Sequence, residues 1–195
     1  MRAINRKTRI LLIFFALILC LSSTVLYVST KPVHSQGQYT LGLPYSPIVG
    51  QEVSVAQVQT NMPFKINLPT DLGPIAESKF DNTTKTLTTI FSSTKPADDA
   101  NFIDILNSNA VVLIQMPSNL TLASARQNIL DAVNTTKNDA GGLQLLTING
   151  YLGCEGGNVW HTVTWYTQTT YYQLTANVDY PLQNLVDAAN TIPVQ

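Results

Sequence analysis

Hydrophobic and polar positions divide the chain into three regimes. Between Ile10 and Val28 the sequence ILLIFFALILCLSSTVLYV carries no charge. At 1.5 Å per residue a helix of that length approaches the roughly 30 Å hydrocarbon core of a bilayer, so it predicts either a membrane anchor or a signal helix. Gln36 to Gly50, QGQYTLGLPYSPIVG, mixes proline and glycine with no charge and no period, which predicts an extended linker over 36–50. From Gln51 onward short apolar periods alternate with turn residues, and residues 51–195 read as one packed domain.

Inside that domain Ser54 and Gln57 are spaced as a capping box, and Pro63 ends the helix they start after Asn61. Residues 64–68 alternate as a strand. Residues 75–81 and 86–92 form a hairpin across Asn82-Thr83-Thr84. Phe102, Ile105 and Leu106 have helical spacing within a polar stretch, and the apolar run 110–116 predicts a central strand. Thr121 caps a helix to about Val133 whose stripe is Leu122, Ala125, Ile129 and Val133. Residues 143–151, 158–167 and 169–177 read as three strands, with glycine-rich residues 150–157 as the turn between the first two. The last helix has Pro181 in its first turn and Leu182, Leu185, Val186, Ala189 and Ile192 on one side. The sum is an α+β domain, a largely antiparallel sheet with helices packed on one face, preceded by the N-terminal apolar helix.

Charge then sets orientation. Arg2, Arg6, Lys7 and Arg9 precede the apolar segment and Lys31 alone follows it closely, so the positive-inside bias predicts N-terminus in and domain out, in the cell membrane. Val33-His34-Ser35 also offers a small-residue cleavage site, which would make the protein secreted with Gln36 as its first residue. The large Leu19 before Cys20 argues against a lipid anchor. Beyond Gln36 six basic side chains face all 12 acidic ones, which excludes nucleic acid as an expected partner. Charged residues make up only 12% of the chain, about half the roughly 25% usual in globular proteins, with Thr, Asn, Gln and Ser taking their place. This composition suits an extracytoplasmic surface.

The candidates for chemistry are few. Cys154 and His161 are the only cysteine and histidine after Ser35. With Glu155 they form the one weak candidate site for a small surface hydrolase or a metal-binding protein. His161 shares a strand face with Val159, Val163 and Trp165 and reads first as a hydrogen-bonded core or half-buried histidine, ahead of any catalytic role. Asp98, Asp99 and Asp104 lack the spacing and glycine bend of a calcium loop. No catalytic set, metal set or cofactor is expected. Trp160, Tyr166 and Tyr171 read first as core packing, and otherwise as candidates for an exposed aromatic platform that binds a sugar, a peptide or a protein. Asn82, Asn119 and Asn134 each begin an N-x-S/T sequon.

Three segments, NMPFKINLP, INGYLG and HTVTWYTQTTYYQLTANVDYPLQNLVDAANTI, carry a likeness to known proteins. They resemble an uncharacterised domain-of-unknown-function family of membrane-anchored, extracytoplasmic bacterial and archaeal proteins. The matching positions are Pro63-Phe64, Leu68-Pro69, Trp165, Tyr172, Leu174, Leu185 and Ala189, between Val53 and Ile192. The acidic start that the family gives its last helix is missing here. The resemblance implies a fold and an envelope location, with no activity. The sequence thus leads to a non-enzymatic domain at the cell surface that binds or senses an unknown protein or ligand, with a structural spacer as a further alternative.

Overall fold

A computed structural model of the chain describes residues 48–193. The chain divides into two units, Met1–Leu41 and Gly42–Gln195, and every described residue belongs to the second. The apolar segment between Ile10 and Val28, the cleavage site at Ser35 and most of the linker lie outside the described residues. Among the described residues no helix is long and apolar enough to cross a membrane.

The domain is α+β, with eight strands in one antiparallel sheet and four α-helices. The strands are β1 (Gln51–Glu52), β2 (Ile75–Asp81), β3 (Thr86–Phe91), β4 (Val111–Pro117), β5 (Gln144–Ile148), β6 (Tyr151–Gly156), β7 (Trp160–Tyr166) and β8 (Thr170–Asn177). Their order across the sheet is β1-β2-β3-β4-β8-β7-β6-β5. Two meanders therefore meet at the central β4–β8 pair. The helices are α1 (Val55–Val58), α2 (Phe102–Asn107), α3 (Leu122–Thr136) and α4 (Leu182–Thr191).

Local chemistry starts each helix. The Ser54 hydroxyl accepts from Gln57 N and the Gln57 side chain accepts from Ser54 N, so the predicted capping box is present on α1. A second box starts α2. Asn101 Oδ1 accepts from Asp104 N at 3.0 Å, and Asp104 Oδ2 accepts from Asn101 N at 3.2 Å, which gives Asp104 a structural task. Thr121 Oγ1 accepts from Ser124 N at the head of α3, which runs three residues beyond the predicted end. Pro181 stands at the cap position directly before α4, one residue outside the helix.

The helices lie on both faces of the sheet, which corrects the expectation of one. Along β4, Val111 and Leu113 pack with Val163, Trp165, Leu174, Leu185 and Ala189, so α4 covers this first face. The alternate residues Val112 and Met116 join other clusters: Val112 packs with Phe102, Ile105 and Leu106 of α2, and Met116 with Ala125 and Ile129 of α3. Successive side chains of a strand point to opposite faces, so α2 and α3 cover the second face. The sheet is the middle layer of three.

Residues 64–68 are not a strand. Phe64 and Ile66 are buried against Phe80 and Leu87, so this extended segment crosses the first face. Side-chain amides satisfy its backbone where a neighbouring strand otherwise would. Gln59 Nε2 donates to Phe64 O at 3.0 Å, and Ile66 N donates back to Gln59 Oε1 at 2.8 Å. Asn67 N donates to Gln115 Oε1 at 3.3 Å.

The segment expected as one strand at 143–151 is a hairpin, with β5 and β6 paired from Gln144↔Glu155 to Ile148↔Tyr151. Asn149 (φ 49°) and Gly150 (φ 87°) form its two-residue turn, and both lie in the left-handed region that this turn demands. The glycine-rich segment is accordingly strand β6 for most of its length. Gly153 pairs with Trp165, and a Cβ there would come within 2.7 Å of Thr164 O.

Candidate functional site

The cysteine and histidine singled out in the sequence do not meet. Cys154 and Glu155 are consecutive on β6, so their side chains take opposite faces. Cys154 packs under α3 with Ile129, Tyr166 and Tyr171 at 3% exposure, and burial pushes its thiol up to about 11. Glu155 pairs with Val163, which places it and His161 toward the first face. His161 is half-buried, and its Nδ1–H donates to Tyr180 O at 2.8 Å. A carbonyl can only accept, so this bond fixes the tautomer and ties β7 to the start of α4. Among the described residues no group of three or more His, Cys, Asp or Glu side chains is placed to hold a metal ion.

The aromatic platform is corrected in the same way. Tyr166 and Tyr171 are each 6% exposed and meet edge to face at 5.0 Å beneath α3. Trp160 is half-buried against the α2 cluster. These rings belong to the second core layer, because helices cover the face they occupy. The three sequon asparagines are exposed: Asn82 in the β2–β3 turn, Asn119 before α3, and Asn134 in the last turn of α3.

The structure instead opens two depressions at one end of the sheet, where the β5–β6 and β7–β8 turns and the start of α3 converge. On the first face, Phe64, Lys65, Asn67, Thr167, Thr170 and Tyr172 enclose a polar cavity of about 40 Å³. Asn67 Nδ2 donates to Pro193 O at 2.7 Å and Asn149 Nδ2 to Ile192 O at 2.8 Å, so two asparagines secure the chain just after α4. Burial raises the Tyr172 hydroxyl, partly offset by hydrogen bonds with Thr170 and Asn67.

On the second face a groove of about 160 Å³ runs between α3 and β6, lined by Leu122, Ala125, Arg126, Gly150, Tyr151, Leu152 and Tyr166. Leu122, Ala125 and Arg126 are spaced i, i+3, i+4, so one side of α3 supplies the whole helical wall. Ile129 continues that stripe into the core. The Asn149-Gly150 turn sets the opposite wall by delivering Tyr151 and Leu152 at the head of β6. Arg126 is exposed, while Tyr166 forms a buried floor. The ion pairs among the described residues join Lys79 and Lys95 to Glu77 and Glu52, and Arg126 is in none of them. A guanidinium, the Tyr166 ring and leucine side chains make this groove suited to recognition.

Sequence reasoning did not reach this groove. Two signals pointed to it: Arg126 is the only arginine after Arg9, and Asn149-Gly150 is a strong hairpin dipeptide. Comparison with protein-family models, curated proteins and solved structures finds no match to this chain.

Proposed function

We propose that this protein is an extracytoplasmic binding domain, held at the cell membrane by its N-terminal apolar segment, which engages a partner or ligand through the groove between α3 and β6. The observation that carries the proposal is the groove itself. It combines an exposed arginine outside every ion pair among the described residues with the buried Tyr166 ring and an apolar wall. Clefts of that mixed character orient ligands by a few polar groups over an apolar body. The location is supported by the four bases before an uncharged apolar run and by the thinly charged composition beyond it. The motifs around Pro63-Phe64, Trp165 and Leu185 resemble an exported family and point the same way.

The test is site-specific photocrosslinking in living cells. Leu122 is 44% exposed at the rim of the groove, and Val159 is 54% exposed in the β6–β7 turn at the other end of the sheet. A photoreactive side chain at position 122 is expected to give a discrete adduct that one at position 159 does not. Equal, diffuse labelling from both positions would contradict the assignment.

A further inference from the structure

The groove has a definite chemical character, and the inference that follows rests on its being the recognition site. We propose that it binds a carboxylate carried on a ring-sized apolar group. Its volume of about 160 Å³ matches a single ring, since a cavity of about 150 Å³ accommodates benzene. Leu122, Ala125 and Leu152 supply apolar walls and the Tyr166 ring the floor.

The charge comes from one side. Arg126 presents a planar fork of donors whose geometry matches the two oxygens of a carboxylate. It sits in the second turn of α3, a helix of 15 residues whose first residue, Leu122, lines the same groove. The Thr121 cap engages Ser124 N, and Ala125 N donates to Thr121 O. The amides of Leu122 and Ala123 thus have no intrahelical acceptor, and the helix dipole adds positive potential beside the guanidinium. A neutral ligand would leave this combination unanswered, and a cation would be repelled. A lysine at position 126 would keep the charge but lose the two-point contact.

One chemistry could reach the groove from two sources, a free aromatic acid or the C-terminal residue of a peptide. The experiment therefore uses phenylacetate and N-acetylglycyl-phenylalanine as probes, each beside its neutral amide. Binding to the full-length protein in an uncharged detergent is followed by titration calorimetry. The expected result is saturable binding of at least one acid, with its amide at least tenfold weaker. Arg126→Gln should weaken the acid at least tenfold and Arg126→Lys by less. Arg126 is exposed, so an unchanged thermal transition in both variants separates lost binding from lost folding. A tenfold preference for the peptide acid identifies a chain terminus as the source; the reverse preference identifies a free acid. Equal affinity for acid and amide, no saturable binding, or indifference to Arg126→Gln would overturn the inference. A crosslinked adduct at position 122 alongside any of those results would leave the surface-binding role standing and remove only the carboxylate assignment.

Discussion

Trp165 and Tyr172 stack across neighbouring strands with ring centroids 4.8 Å apart and planes within 5° of parallel. They occupy a transverse row on the first face. Pairing continues from Tyr172 to Gln115 and Leu87 on one side and from Trp165 to Gly153 and Leu146 on the other. Two atoms in this row, Gln115 Nε2 and Trp165 Nε1, are buried without a hydrogen-bond partner. The strength of the row therefore comes from ring area and stacking.

This makes the Trp165 substitutions unequal. Trp165→Ala removes a fully buried ring and is expected to cost about 3–5 kcal/mol. Trp165→Phe keeps most of the stack and deletes an N–H that has no partner, so its cost should stay below about 1.5 kcal/mol. Urea unfolding of the two variants measures both, and equal losses would show that an aromatic ring at position 165 does not by itself hold the row.

Cys154 should be inert in the folded domain. With its thiol raised to about 11, only about one part in a thousand is thiolate at pH 8, and α3 also blocks access. In a Cys20→Ser background, a chromogenic disulfide reagent is expected to leave native protein unlabelled and to modify Cys154 once the domain is denatured. Labelling within seconds under native conditions would contradict the burial.

The β2–β3 turn should confer a small acid sensitivity. Asp81 lies below its ordinary value of 3.8, chiefly because its carboxylate accepts from the Thr84 hydroxyl at 2.7 Å and then from Thr83 N at 2.8 Å. A carboxyl lowered in the folded state stabilises the fold above its unfolded value and loses that contribution as pH falls through the lower folded value. The turn is solvated, so the effect is expected to be a few tenths of a kcal/mol. Stability of wild type and Asp81→Asn should differ above pH 4 and converge toward pH 2. A gap that persists at pH 2 would rule out the carboxylate charge as its source.

What was legible in the sequence was short-range. The Ser54–Gln57 box, the turn at Asn82 and the Thr121 cap are complete within a few residues, and each is present. Residues 64–68 misled because their alternation is genuine, while the acceptors that hold them, Gln59 and Gln115, declare themselves only in three dimensions. The second helical layer did have a signal. The apolar run 110–114, which places apolar residues at consecutive positions, implies a strand buried on both faces, and two buried faces need cover on both sides. The groove was not legible as a unit, because Arg126 and Leu152 are brought together by the α3 crossover and the Asn149-Gly150 turn.

The central claim is that this domain works outside the cytoplasm, and protease digestion of right-side-out membrane vesicles tests it most directly. With a tag after Gln195, added protease is expected to remove the tag from sealed vesicles, because in the proposed topology the bases Arg2, Arg6, Lys7 and Arg9 keep the N-terminus inside. A tag that resists protease in sealed vesicles and is lost only after lysis would place the domain in the cytoplasm and contradict the account.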